Sequence, residues 1–204
     1  TMIKNIVFDL GGVLIDFKPE KYLEHIGFSK EDINLFTQIV FYGKEWNAYN
    51  SSKYNAEQTE KNLIQNYPQY SDKIKQIFKN INYKYILFEM KDTSNYLKEL
   101  KNKGYYIYIL SDLSKDSYTY NRQFDFFHYV EGGIYSFEVG STKPNKNNYE
   151  TLLKKYNLLP EETVFIDDRL ENIEAANHYG IHGIQFITLD SVKEEVMELE
   201  NARD

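Results

Sequence analysis

The chain has 204 residues, which allows one ordinary domain with an insertion, and no segment approaches the roughly 20 apolar residues that cross a bilayer. A formal net charge of −7 argues against general nucleic-acid binding, and the absence of cysteine excludes disulfides, thiolate nucleophiles and cysteine-held metals. We expect a globular, cytoplasmic protein that does not bind membranes, because the apolar run near the N-terminus is too short for a signal peptide.

A short apolar segment near the N-terminus ends in a carboxylate and two glycines. Residues 3 to 9 predict a strand that is buried on both faces of a parallel sheet. Asp9 ends the apolar run, and Gly11 and Gly12 permit a sharp turn or a close approach to a ligand. Open α/β sheets bind ligands at the carboxyl ends of their strands, so Asp9 is a candidate site residue; the simpler interpretation is an aspartate that starts a turn.

The next part of the chain shows helical patterns and no convincing strand. A first short helix opens at Pro19, and Ser29 is placed to cap a second one. Residues 56 to 67 and 71 to 81 predict two further helices, which Pro68 separates. We therefore expect two units, namely a core of residues 1 to 16 and 84 to 204, and an all-helical cap inserted over residues 17 to 83.

Helices and strands alternate in the remainder of the chain. The predicted elements are a helix over 84 to 103, a strand over 105 to 110, short strands over 126 to 130 and 134 to 139, a helix over 145 to 156, a strand over 163 to 166, a helix that stops at Gly180, a strand over 184 to 187 and a helix over 192 to 199. This alternation is typical of an α/β fold with a parallel sheet and helices on both faces.

Polar side chains of complementary type follow three of the predicted strands. They are Asp9, Ser111, and Asp167 with Asp168, and Lys143 adds a cation in a loop before a helix. Each has an ordinary explanation when taken alone: a hydroxyl can cap a helix, carboxylates suit a helix N-terminus, and most lysines are solvated. Their order along the chain and their placement at strand ends favour a shared site.

The residue types in this group suit phosphoryl transfer. Asp9 can act as a nucleophile on phosphorus and form an aspartyl-phosphate. Mg²⁺ prefers oxygen ligands, which Asp9, Asp168 and the main-chain carbonyl of Gly11 could supply. Ser111 and Lys143 could hold the transferring phosphoryl group and spread its charge.

Four motifs carry a resemblance to a known family. They are Phe-Asp-Leu-Gly-Gly-Val-Leu-Ile-Asp around Asp9, Ile-Tyr-Ile-Leu before Ser111, Lys143-Pro144, and Val-Phe-Ile-Asp-Asp-Arg-Leu-Glu-Asn around Asp167 and Asp168. Together they resemble the haloacid dehalogenase-like hydrolases. The resemblance implies a Rossmann-like core with a helical cap, Mg²⁺, and phosphatase activity on a small phosphorylated metabolite. The Asp-Leu-Gly form of the first motif is most similar to a branch of sugar-phosphate phosphatases.

The same resemblance suggests roles for two more residues and shows one departure. It implies that Asp112 binds substrate and that Asp167 is a metal ligand or supports one. Most phosphatases of this superfamily carry a second aspartate, two residues after the nucleophile, as general acid and base. Here that position is Gly11, which has no side chain to move a proton. Asp16 is not expected to replace it, since it should lie at the start of the link to the cap.

The glycine at position 11 leaves three functions open. The first is a phosphatase, slowed or helped by another group; the second is a binding module that has lost turnover. The third is a 2-haloacid dehalogenase, which needs no metal and which the Asp167–Asp168 pair therefore disfavours. Asn172 is expected to orient Lys143 through its amide oxygen.

Aromatic and basic side chains outside the motifs allow two interpretations each. Trp46 belongs either to the core of the cap or to a cleft wall that contacts substrate. Arg169 either reaches the substrate or lies on the surface. The four histidines lack the spacing of a helical metal pair, so we interpret them as structural. The sequence gives no indication of a protein partner.

Overall fold

A five-stranded parallel sheet forms the centre of the computed structural model, which describes residues 2 to 202. The strands are β1 (Asn5–Phe8), β2 (Ile15–Phe17), β3 (Leu87–Glu89), β4 (Tyr106–Ser111), β5 (Gly132–Tyr135), β6 (Thr163–Asp167) and β7 (His182–Gln185). The central sheet has the order β5-β4-β1-β6-β7, and β2 pairs with β3 in a separate antiparallel ribbon. In register, Phe8 lies beside Ile109 of β4 and Ile166 of β6.

Helices that follow β3 cover both faces of this sheet, whereas five others lie between β2 and β3. The helices are α1 (Pro19–His25), α2 (Lys30–Phe36), α3 (Lys44–Asn50), α4 (Ala56–Asn66), α5 (Ser71–Lys79), α6 (Lys91–Asn102), α7 (Lys115–Asn121), α8 (Ser136–Val139), α9 (Lys146–Lys155), α10 (Leu170–His178) and α11 (Leu189–Asn201). Val7 packs in a buried cluster with Tyr149 of α9, whereas its neighbour Ile6 packs in another with Leu97 of α6. Successive strand residues point to opposite faces of the sheet, so a strand that is buried on both sides is apolar throughout. The predicted α/β fold with a parallel sheet is confirmed.

The chain between β2 and β3 contains only helical elements and turns. Ser29 caps α2 by accepting a hydrogen bond from the Asp32 amide at 3.2 Å, as its position predicts. Residues Thr37–Phe41 continue α2 as one π-helical turn. Several apolar side chains of these helices are fully buried, and the Tyr22 hydroxyl donates to the Ile77 carbonyl at 2.7 Å, which ties α1 to α5.

Three of the predicted elements differ from the observed ones. The helix predicted over 84 to 103 begins only at Lys91, because Leu87–Glu89 forms β3 against β2, where the Met90 amide also donates to the Leu14 carbonyl at 2.8 Å. The strand predicted over 126 to 130 is a 3₁₀ helix, Asp125–Tyr129. The strand predicted over 134 to 139 ends at Tyr135, after which a helical turn runs to Gly140 at φ +76°.

No helix within residues 2 to 202 combines the length and the apolar composition that crossing a bilayer requires.

Candidate active site

The carboxyl ends of three adjacent strands bring the predicted site residues together. In the sheet, β1 lies between β4 and β6, and all three run in the same direction. Asp9 follows the last residue of β1, Ser111 ends β4, and Asp167 ends β6. Their side chains are buried, so they meet at one edge of the sheet with little access to bulk water.

Lys143 joins two of these strand ends. Its Nζ atom lies 3.0 Å from Asp9 Oδ1 and 2.7 Å from Asp167 Oδ2, and it also donates to the Leu110 carbonyl at 3.1 Å. The Lys143 amide donates to Asp112 Oδ1 at 3.0 Å, which fixes the loop against the end of β4. The lysine side chain is 2% exposed, so it is a buried part of the cluster and not a solvated surface cation.

Burial and charge act in opposite directions on these groups. Burial by itself lowers the pKa of Lys143, but the carboxylates around it, Asp9 first, outweigh that effect and raise its pKa above the ordinary value. Burial raises the pKa of Asp167, yet Lys143 and several hydrogen bonds hold it below the ordinary value. Burial dominates at Asp9 and raises its pKa well above the ordinary value, which Lys143 only partly offsets.

A group of three carboxylates could hold a cation. Oxygen atoms of Asp9, Asp167 and Asp168 all lie within 4.8 Å of one another. Gly12 has φ +79°, and a Cβ atom there would overlap Asp168 Oδ2, so only glycine lets the loop come so near the carboxylate. An all-oxygen set of this kind fits Mg²⁺, in agreement with the cofactor that the sequence predicts.

A cavity of about 430 Å³ opens above the strand ends, between them and the helices that precede β3. Its wall includes predicted site residues, namely Asp9, Gly11, Trp46, Ser111, Asp112, Lys143 and Asp168. Trp46 also packs against Phe41 and Tyr49, with ring centroids 4.9 and 5.1 Å apart. Trp46 is therefore a packed residue that also forms part of the cavity wall, and its contact with a substrate stays a prediction.

The comparison with protein families decides the classification. The family model described as "haloacid dehalogenase-like hydrolase" matches residues 3 to 180, which is most of the chain. The chain belongs to the haloacid dehalogenase-like hydrolase family. It is therefore a hydrolase, and the family resemblance read from its four motifs is confirmed.

Individual members of the family give a more distant match over nearly the whole chain. A sesquiterpene phosphatase of Aspergillus oryzae is 24% identical over 185 residues, covering 90% of each chain. D-ribitol-5-phosphate phosphatase of Bacteroides thetaiotaomicron is 25% identical over 198 residues, covering 90% of this chain and 92% of its own. A family enzyme from Bacteroides thetaiotaomicron, solved with magnesium and inorganic phosphate, superimposes with a TM-score of 0.68 at 21% identity, covering 90% and 93% of the two chains. The last match shows that the fold is shared.

The structure corrects the expected contact of Asn172 in this hydrolase. Its Nδ2 atom donates to Asp167 Oδ2 at 3.1 Å, and its Oδ1 atom has no hydrogen-bond partner among the described residues. The amide therefore orients the carboxylate that binds Lys143, and not the lysine itself. An amine and an amide nitrogen, both donors, converge on one oxygen of the Asp167 carboxylate.

Two further residues from the sequence analysis line the cavity. Asp16, in β2, starts the link to α1 as expected, but it also lines the cavity. Arg169 lines the cavity too, although its side chain is 61% exposed and pairs with Glu171 at 2.5 Å.

Several cavity residues were missed by the sequence analysis. Ser117 and Asn121 of α7 lie four residues apart, and Tyr83 precedes β3. Residues i and i+4 share a helix face, and α7 begins four residues after the strand end at Ser111, so this face was open to prediction. Tyr83 carried no comparable signal.

Hydrogen bonds connect the helices between β2 and β3 to the core beside this cavity. The Tyr49 hydroxyl of α3 donates to Asp116 of α7, and the Ser136 hydroxyl donates to the Asn50 carbonyl at 2.7 Å. These contacts hold α3, with Trp46, over the strand ends.

Proposed function

We propose that this hydrolase is a Mg²⁺-dependent phosphatase that cleaves a small phosphorylated metabolite, such as a sugar phosphate, through an aspartyl-phosphate on Asp9. One observation carries the proposal: Asp9 Oδ1 is held by the Leu10 amide at 2.8 Å and by Lys143 at 3.0 Å. Its Oδ2 atom accepts no hydrogen bond from residues 2 to 202, and Asp9 lines the cavity. The names of the two curated relatives, both phosphatases, support the same reaction class.

The reaction divides into two displacements at phosphorus. An oxygen of Asp9 attacks phosphorus, and the bond between phosphorus and the alcohol oxygen breaks. The alcohol oxygen then takes a proton from water, because Gly11 has no side chain that could donate one. Water then attacks the acyl phosphate at phosphorus, which releases inorganic phosphate and restores the carboxylate. The covalent intermediate replaces one difficult step by two easier ones.

Ser111 and Lys143 would bind the phosphoryl group in both steps. Ser111 ends β4 beside Asp9, and its hydroxyl can donate to a phosphate oxygen. Lys143 stays charged, because its pKa is raised by the surrounding carboxylates. Asp112 accepts a hydrogen bond from the Lys143 amide and lines the cavity. It would therefore hold the loop that carries Lys143 and lie next to the substrate.

Asp9, Asp168 and the Gly11 carbonyl would hold Mg²⁺, with Asp167 either binding it or supporting its neighbours. The bound cation would neutralise charge on the phosphoryl oxygens and favour the ionised form of Asp9. Residues 17 to 83 would act as the cap that covers this chemistry, with Trp46 contacting the organic part of the substrate. A cap that excludes water strengthens the electrostatic interactions inside the site.

The decisive experiment replaces the nucleophile. We expect Asp9→Asn to abolish hydrolysis of p-nitrophenyl phosphate in the presence of Mg²⁺ while leaving the circular dichroism spectrum unchanged, because the amide has a similar size but is a poor nucleophile. Asp72→Asn, at an exposed position of α5, is the matched control and should retain full activity. Beryllium trifluoride, a phosphoryl mimic, should bind the wild-type protein and not Asp9→Asn. Undiminished hydrolysis by Asp9→Asn would refute the covalent mechanism.

The glycine at position 11 supports a second candidate, a binding protein without turnover. Under that hypothesis, phosphorylated compounds would bind in the presence of Mg²⁺, as measured by calorimetry, and remain intact. Release of inorganic phosphate by the wild-type protein, absent in Asp9→Asn, would exclude it.

A further inference from the structure

The cavity has a charged end and an uncharged end. At the strand ends and the adjoining β2, its wall contains the carboxylates of Asp9, Asp16, Asp112 and Asp168 together with Lys143. Away from them the wall consists of apolar side chains, such as Phe41, Trp46 and Leu87, and polar uncharged ones, such as Asn47, Tyr83 and Asn121. A phosphoryl group suits the first end, so the second end faces the remainder of the substrate.

Only two cations line this cavity among the described residues, and both are already paired. Lys143 is 2% exposed and lies against Asp9 and Asp167. Arg169 is 61% exposed and lies 2.5 Å from Glu171. A second anionic group on the substrate would therefore find no free cation at the uncharged end. Moving an unpaired charge into such a site costs far more than moving a neutral polar group.

The uncharged end offers both hydrogen bonds and apolar contact. Amide groups donate and accept, and a hydroxyl group does the same, so Asn47 and Asn121 are suited to alcohols. The Nδ2 atom of Asn121 donates a hydrogen bond to the Ser117 carbonyl at 2.8 Å, and its Oδ1 atom has no hydrogen-bond partner among the described residues. A substrate with a purely apolar chain would leave these amide groups without hydrogen-bond partners. A site built for hydrogen bonds therefore discriminates against such a substrate.

We infer that the substrate carries a single phosphoryl group on an uncharged, hydroxylated body of a few carbons, and that the site selects against a second anionic group. A cavity of about 430 Å³ lies near the small end of the range for ligand sites, which limits the size of that body. This inference rests on the phosphatase activity proposed above and adds the charge and polarity of the substrate.

Three phosphates of equal chain length test it. Sorbitol 6-phosphate has an uncharged hydroxylated body, 6-phosphogluconate adds a carboxylate to nearly the same body, and hexyl phosphate lacks the hydroxyls. We expect kcat/KM for sorbitol 6-phosphate to exceed each of the others by about tenfold or more, since unpaired charges and unpaired polar groups are both costly. Equal or faster hydrolysis of 6-phosphogluconate would overturn the charge rule, and equal or faster hydrolysis of hexyl phosphate would overturn the hydroxyl rule.

A charge added to the cavity wall provides the complementary test. Asn47 is an exposed residue of α3 that lines the cavity, so Asn47→Arg supplies the missing cation. We expect it to reduce the preference for sorbitol 6-phosphate over 6-phosphogluconate by about tenfold, the value of one new ion pair of about 1.4 kcal/mol. Asn95→Arg, at an exposed position of α6, makes the same charge change outside the cavity and should leave the preference unchanged. An unchanged preference in folded Asn47→Arg would contradict the assignment of the uncharged end.

Affinity measurements separate this inference from the proposed activity. With the Asp9→Asn variant and Mg²⁺, calorimetry should give the same order of affinity, with sorbitol 6-phosphate tightest. If no compound is hydrolysed but the order of affinity holds, the phosphatase proposal fails and the charge rule stands. If hydrolysis occurs with the reverse order, the phosphatase proposal stands and the charge rule fails.

Discussion

Gly12 and Asp168 lie so close together that a Cβ atom on Gly12 would overlap the Asp168 carboxylate. The loop after β1 is thereby pressed against the end of β6. Two of the proposed metal ligands, the Gly11 carbonyl and the Asp168 carboxylate, are consequently supplied by segments that can approach each other only because position 12 lacks a side chain.

The first prediction concerns the cation. Mg²⁺ should raise the melting temperature of the wild-type protein, because it binds between carboxylates that repel one another in the folded state. Asp168→Asn should lose most of this increase, whereas Asp72→Asn, at an exposed position of α5, should keep it. Differential scanning calorimetry with Mg²⁺ and with chelator provides the measurement. An equal increase in Asp168→Asn would remove this residue from the metal site.

Position 11 offers a gain-of-function prediction. A Cβ atom on Gly11 would have no neighbour within 4 Å, and the residue does not adopt positive φ. Gly11→Asp should therefore fold and raise kcat by up to about 10²-fold, the lower end of the range for general acid–base catalysis. The gain should be largest for alkyl phosphates, whose leaving groups most need a proton.

Position 12 is the matched control for that substitution. Gly12 has φ +79° and no space for a side chain, so Gly12→Asp should lower both stability and activity. If Gly11→Asp folds and its kcat for an alkyl phosphate is no higher than that of the wild type, a missing proton donor does not limit the rate.

Lys143 should contribute to stability as well as to catalysis. Lys143→Met leaves Asp9 and Asp167 buried without their cation, and removing one partner of a buried ion pair costs about 3 to 5 kcal/mol. Urea denaturation in the presence of chelator measures the change in the free energy of unfolding. Lys146→Met, at an exposed position of α9, should change it by less than about 0.5 kcal/mol.

Asp167 gives the protein a defined response to acid. Burial raises its pKa, but Lys143 and hydrogen bonds outweigh burial, so the pKa of Asp167 in the folded protein lies below the ordinary value of an aspartate. The unfolded state therefore binds the proton first as the pH falls, and the stability contributed by the ion pair is lost as the pH drops through the folded pKa. Between about pH 5 and pH 3, Asp167→Asn should lose less unfolding free energy than the wild type. Urea denaturation at each pH measures the free energy of unfolding of both proteins. An equal decrease in the two proteins would contradict the lowered pKa of Asp167.

Trp46 should affect substrate preference more than the chemical step. Trp46→Phe keeps an aromatic ring against Phe41 but shortens the cavity wall, so it should change the relative kcat/KM of sorbitol 6-phosphate and p-nitrophenyl phosphate several-fold. The kcat for p-nitrophenyl phosphate should stay close to the wild-type value. Identical substrate profiles for the two proteins would argue that Trp46 only packs within the helices.

The strand ends could be predicted from the sequence because they depend on local pattern. Buried parallel strands are continuous apolar runs, so the positions of Asp9 and Ser111 at their ends were readable, and parallel strands in one sheet necessarily end at one edge. The ribbon formed by β2 and β3 was missed because strands of three residues are too short to show a period of two. Asn172 was assigned the wrong contact, and Tyr83 was missed, because both depend on how distant segments pack.

The antiparallel pairing of Ile15–Phe17 with Leu87–Glu89 brings both ends of the intervening segment to one place. For the sheet, residues 18 to 86 are thus a closed loop, and each doubling in the length of such a loop adds only about 0.6 kcal/mol of closure cost. Insertions, deletions or replacement of this segment therefore leave the order of the strands in the sheet unchanged. Under the proposed function, the range of substrates can therefore change through exchange of this segment, while the proposed nucleophile Asp9 and its partner Lys143 stay in place.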